Sequence, residues 1–240
     1  MVFLFQREIR VMKTPEMFPV EIFSIGPVVI NNTVIITWIV MAFIIVTSYL
    51  ITRRLSIKPG AFQEIFEAII ESAEKTIKDT LPVSPWTVIP FITTLWIFIG
   101  ASNLIGLIPG FMTPTSDINT TFAFAIISYS MMHVFGLKTM GLRNYLKHYT
   151  EPSWILLPIH FLAELTRTIA LAIRLFGNML SSDMIAIILL GIAGFLVPIP
   201  FSLLHIVIGI IQAYIFGILT LVFIAGGIRV EQNKNISKEV

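Results

Sequence analysis

No cysteine occurs among the 240 residues, which excludes a disulfide framework and a thiolate metal site. Charge is almost as scarce. Charged side chains make up 12% of the chain, against roughly 25% in a soluble domain, and so few cannot cover a water-facing surface. The arrangements that carry covalent chemistry are missing as well: there is no H-E-x-x-H helix, no nucleophile elbow and no dinucleotide glycine fingerprint. The stretch "GLKTMG" at 136–141 lacks the order of a phosphate loop and falls at the end of an apolar run. No basic nucleic-acid-binding face and no internal repeat is evident, and the net charge of +2 points to no partner. The sequence therefore predicts no catalytic residue, no metal site and no cofactor, and nothing that cleaves ATP.

Apolar residues are abundant. They make up 56% of the chain, with a mean hydropathy of +0.89, the composition of an integral membrane protein with one membrane domain. A span needs about 20 mostly apolar residues. The first is "NTVIITWIVMAFIIVTSYLI" at 32–51, ended by Arg53, Arg54 and Lys58. In "AFQEIFEAIIESAEKTIKDT" at 61–80, apolar residues recur at helical spacing with Glu64, Glu67, Glu71, Glu74, Lys75 and Lys78 between them, which predicts an amphipathic helix lying on the membrane surface. Further spans are expected at about 88–108 and about 120–137. A segment from 153 to about 196 follows, and a last apolar one covers about 200–228, before a charged tail at 229–240. At 1.5 Å per residue the 153–196 segment would be about 65 Å long, against a hydrocarbon core of about 30 Å, so it must tilt, bend or wrap around something.

Lysine and arginine give the orientation. With the stretches Arg53–Lys58, Lys138–Lys147 and Arg229–Lys238 placed in the cytoplasm, nine of the sixteen basic residues lie inside. The loop 109–119 on the other side has none. This positive-inside pattern gives five crossings with the C-terminus inside. Arg7, Arg10 and Lys13 then fall outside, against the rule.

Intramembrane charge is costly, about 2.5–3.5 kcal/mol for an arginine at mid-helix on insertion scales, and by default marks function. The long segment holds Glu164, Arg167, Arg174 and Asp183. At 100° per residue, Glu164, Arg167, Leu171, Arg174 and Asn178 share one face, and Asp183, nine residues after Arg174, points half a turn away. Two polar environments on opposite sides of one helix are expected. Glu164 with Arg167 also reads as a plain i,i+3 ion pair. In the last segment His205 and Gln212 lie two turns apart, and Gly209, Ala213 and Gly217 form a small-residue stripe that lets another helix approach closely. His205 reads either as a core histidine or as a proton relay, and Gln212 either as helix glue or as part of the site.

The residues "IRLFGNM", an acid downstream, and "LLHIVIGIIQAYIFGILTLVFI" together resemble subunit a of the rotary F-type ATP synthases, bacterial type. The likeness runs from about Pro19 to Ile228 and includes "SIGPVVIN" and "NLIGLIPG", leaving residues 1–18 as an N-terminal extension, outside or interfacial. It implies an all-α membrane protein with about five crossings and one surface helix, whose two long tilted C-terminal helices pack against a ring of c subunits. Peripheral-stalk subunit b and the soluble ATP-making head would be the other partners, beside the lipid bilayer. The arginine of that family matches Arg174, its asparagine Asn178, its acid Asp183, its histidine His205 and its glutamine Gln212. Glu164, Arg167 and His160 are candidates for lining a half-channel. The implied function is that of a stator in the bacterial inner membrane, not catalytic by itself, whose two offset half-channels feed ions to carboxylates on the ring. Where the family often reads E-L-x-R-P, this chain has "ELTRT" with Thr168. That variant, with "SIGPVVIN", is similar to a sodium-linked branch, whereas Asp183 and His205 match proton-moving members. The rival classes are a self-contained transporter or channel, which would need a complete site in this chain, and an assembly subunit.

Overall fold

In a computed structural model the described residues are 21–25, 28–53, 60–81, 85–108, 111–150, 157–193 and 198–239. The proposed extension 1–18 lies outside them, as do residues 153–156 and 194–196 of the long tilted segment. The chain is an all-α membrane protein in its main architecture. Among the described residues six helices follow a small hairpin: α1 (Asn32–Arg53), α2 (Ala61–Thr80), α3 (Ile89–Ile105), α4 (Ile118–Thr150), α5 (Leu157–Ala193) and α6 (Pro198–Glu239). Four carry stretches long and apolar enough to cross a membrane, and α3 is a fifth, shorter apolar helix. Its 17 residues span about 26 Å, slightly less than the hydrocarbon core. A 3₁₀ turn at Pro85–Thr87 precedes it.

The sequence reading differs from the structure at several points. The hairpin, β1 (Glu21–Ile25) with β2 (Val28–Asn31), is antiparallel and was not expected. Both runs are rich in β-branched residues, which favour a strand. The second span ends as a helix at Ile105 rather than near 108, and Gly106–Ile108 form a turn. The apolar stretch of the last helix is Pro200–Gly226, and the helix continues beyond it to Glu239. Beyond Gly227 the sequence has no glycine or proline and is rich in Glu, Gln and Lys, which sustain a helix after the apolar stretch ends. In α4 the α-helical run is broken at Gly141, whose φ of 74° only glycine adopts readily. The apolar crossing is Ile118–Thr139.

The core lies where α3, α4, α5 and α6 meet. One cluster joins Ile92 and Trp96 of α3, Met132 and Phe135 of α4, and Leu221 and Ile224 of α6. The apolar face of α2 completes it with Ala73 and Ile77, while Ile65 and Ile70 of α2 stay exposed. A second cluster joins Leu95 and Ile99 of α3, Phe124 of α4, Leu171, Leu175 and Met179 of α5, and Ala213 and Phe216 of α6. Helix α1 buries only Thr33, Ile36 and Val40. Its Trp38, Phe43 and Ile45 are exposed, as befits side chains facing lipid. Helix α5 has 37 residues, about 55 Å of helix, nearly twice the hydrocarbon thickness.

Candidate functional site

Leu171, Ala172, Leu175 and Met179 fix how α5 sits, because all four are buried against the bundle. Arg174 lies off that stripe and is exposed, next to exposed Ile173. It forms no hydrogen bond or ion pair with any described residue. A guanidinium keeps its charge at any pH a protein meets, so α5 presents a permanent cation from an apolar outer surface. The five residues read as one polar face are not equivalent: Leu171 is a core residue, whereas Arg174 is outside. The face straddles the boundary between bundle and exterior.

One turn beyond Arg174, Asn178 turns back toward α6. Its Nδ2 donates to Gln212 Oε1 at 2.8 Å. Gln212 is buried, and its own Nε2 has no partner among the described residues. Such a donor is costly to leave unpaired, and here it lies next to the turn that carries the cation.

Asp183 occupies the opposite side of α5, about 14 Å further along the axis. Its Oδ1 accepts from Thr113 Oγ1 at 3.3 Å and faces His205 Nδ1 at 3.9 Å. The other ring nitrogen of His205 lies 3.2 Å from the backbone oxygen of Asn103. A carbonyl can only accept, so this contact places the proton on Nε2 and leaves the Nδ1 lone pair toward the carboxylate. One added proton between Nδ1 and Oδ1 would convert two facing acceptors into an attractive pair. Asn103 ties the cluster together: its Nδ2 donates to the Gly209 carbonyl at 2.8 Å, and its Oδ1 accepts from Thr115 Oγ1 at 2.5 Å. Asn103, Thr113 and Thr115 are fully or almost fully buried. No cluster of metal-ligating side chains occurs among the described residues.

The small-residue stripe of α6 is what brings α3 so near. A Cβ on Gly209 would stand 3.0 Å from Asn103 Cβ, one on Gly217 would overlap the Trp96 indole, and Ala213 Cβ lies 3.8 Å from where a Cβ on Gly100 would be.

The remaining sequence candidates stand apart from these groups. Glu164 is half-buried on α5, and the Arg167 guanidinium lies 6.0 Å from the centre of the Phe223 ring, at the limit of a cation–π contact. His160 is exposed in the first turn of α5. The sequence reading missed Asn103, Thr113 and Thr115. The available signal was a polar pair, Ser102-Asn103, inside an apolar span, followed by a loop of threonines without lysine or arginine.

Comparison with known proteins gives the arrangement a family. Residues 34–225 match the family described as ATP synthase A chain. The chain is 47% identical over 214 residues to ATP synthase subunit a of Legionella pneumophila, covering 89% of this chain and 93% of that protein. It is 44% identical over 218 residues to ATP synthase subunit a 2 of Pelobacter propionicus, covering 91% and 96%. With ATP synthase subunit a of Moorella thermoacetica it shares 38% identity over 207 residues, covering 86% and 95%. A core match across nearly the whole bundle, at this identity and coverage, means that the chain belongs to the ATP synthase A chain family.

Proposed function

We propose that the chain is the stator of a rotary ATP synthase and passes protons between the two sides of a bacterial inner membrane and a ring of c subunits. The observation that supports this most is the split along α5: Arg174 is an uncovered cation on the outer surface, and Asp183 is about 14 Å away on the opposite side, held with His205. Buried Leu175 and Met179 lie on the helix between them.

A ring carboxylate that has released its ion is charged and needs a cation; one that holds its ion is neutral and tolerates lipid. Arg174 would attract the empty form and, because it cannot give up a proton, would carry none itself. It would block a direct passage from one half-channel to the other. Asp183, His205 and Asn103 would form the half-channel on the outer side. Asn178 and Gln212 would form its inner limit next to Arg174, with Gln212 Nε2 free to donate to a passing carboxylate. On the cytoplasmic side Glu164, Arg167 and His160 would line the other half-channel. Each charge crossing 100 mV yields about 2.3 kcal/mol, which ring rotation would transmit to the soluble head. Subunit b of the peripheral stalk would hold the chain still. The positive-inside pattern supports a cytoplasmic C-terminus, with the tail 229–240 on that side.

Protons rather than sodium ions fit the outer cluster. A histidine lone pair aimed at a carboxylate binds a proton well, while hard cations favour sites built from oxygen ligands. In vesicles containing the purified complex, ATP should acidify the lumen with no sodium present. Radioactive sodium accumulating in the lumen under ATP, with an uncoupler present to collapse proton gradients, would refute the proton reading.

A further inference from the structure

A groove of about 680 Å³ runs between α1, α3 and α4, and neither Arg174 nor Asp183, His205 or Asn103 lines it. Along α1 it reaches from Val34 to Ile45, about 17 Å at helical rise, with Asn31 of β2 just beyond. Most of its wall is apolar, with Met41, Ile45, Phe91 and Ile127 among the lining residues. One end is different, because Asn31, Asp117 and Asn119 line it there.

Asp117 is 4% exposed. Its Oδ2 accepts from Thr33 Oγ1 at 2.6 Å, and its Oδ1 accepts from Asn119 N at 2.9 Å and Asn119 Nδ2 at 3.2 Å. All three donors are neutral, and no cation pairs with this carboxylate among the described residues. A carboxylate offers about four acceptor positions, so capacity remains. Asn31 Oδ1, shielded from solvent at the same end, has no donor among the described residues. The polar end of an apolar groove thus presents a negative charge and a spare acceptor.

We propose that this groove binds one membrane lipid with an ethanolamine headgroup, its ammonium at Asp117 and Asn31 and one acyl chain along α1, α3 and α4. The headgroup follows from the chemistry of the polar end. A primary ammonium supplies both the positive charge and the N–H donors, a choline headgroup has no N–H, and a phosphoglycerol headgroup brings net negative charge to a carboxylate. The tail follows from the wall, which is apolar along most of its length and suits one acyl chain. The lipid would join α1, which buries only three side chains of its own, to the bundle. The inference needs only a membrane location and is independent of the ion or the direction of its flow.

The intact complex would be purified in mild detergent, equilibrated with equal amounts of phosphatidylethanolamine, phosphatidylglycerol and phosphatidylcholine, and examined by native mass spectrometry. About one phosphatidylethanolamine per chain should be retained in preference to the other two, with roughly tenfold weaker retention in Asp117→Asn. Ala123→Phe, which fills the groove and leaves the carboxylate in place, should abolish retention and decides the matter if Asp117→Asn fails to assemble. Equal retention of the three headgroups, undiminished phosphatidylethanolamine in Ala123→Phe, or a protein segment found within the groove would overturn the proposal.

Discussion

Gly217→Ala should force α3 and α6 apart. The added methyl would overlap the Trp96 indole, with Cε2 2.9 Å away and two ring atoms nearer still. Carbon atoms pack at about 3.5–4.0 Å, so the seam must open on the order of an ångström or more, or the indole must move. The indole is poorly placed to move: Trp96 is buried in the core cluster and its ring lies 5.0 Å, centre to centre, from the tilted ring of Tyr214. Overpacking of this kind costs about 1–3 kcal/mol, roughly a five- to hundredfold shift from the packed to the opened seam. The Asn103 bond to the Gly209 carbonyl, 2.8 Å long, spans the same seam two turns away and should lengthen with it. The variant complex should therefore show a lower unfolding temperature in detergent and slower ATP-driven pumping. Gly226→Ala, further along α6, is the control, because a Cβ there meets nothing within 4 Å. Equal effects of the two substitutions, or no effect of Gly217→Ala, would refute the close-approach argument.

Two further outcomes follow from the Asp183 cluster. Asp183→Asn keeps the shape and the Thr113 contact but removes the titratable group, so pumping in vesicles should fall steeply, at least tenfold on the scale typical of a lost proton-transfer group. His205→Gly should reduce it less, since water can stand in for an imidazole in a wet channel, and the reverse order of severity would contradict the relay. The chain has no cysteine of its own, so single cysteines at 183 and 205 should react with a membrane-impermeant thiol reagent supplied from outside. Labelling only from the cytoplasmic side would place the half-channel on the wrong face.

Elements governed by local pattern were legible in the sequence. The apolar runs coincide with α1, α3, α4, α5 and α6, and the 3.6-residue period located α2, whose Ala73 and Ile77 are fully buried. The nine-residue spacing from Arg174 to Asp183 was enough to set them on opposite sides of α5, because helical geometry alone decides it. Other features depend on contacts between distant segments. His205 meets the Asn103 carbonyl across 102 residues and Asn103 meets the Gly209 carbonyl across 106; no periodicity contains such pairings. The glycine stripe was visible on α6, but its partners Trp96 and Asn103 were not. Leu171 was placed on the polar face because the 100° rule divides a helix evenly, whereas the bundle covers only part of it. The hairpin escaped notice because a reading built on long apolar runs passes over strands of five and four residues.

The central claim is that one fixed cation on the outer surface of α5 meets the ring carboxylates, and Arg174→Ala tests it most directly. The variant complex should assemble, because Arg174 bonds to no described residue and its removal leaves no orphaned partner. ATP synthesis driven by an imposed proton gradient in vesicles should be abolished. Arg174→Lys should also lose most of it, since an ammonium is a point charge that can deprotonate and lacks the planar fork. Normal ATP synthesis by assembled Arg174→Ala complex would contradict the account.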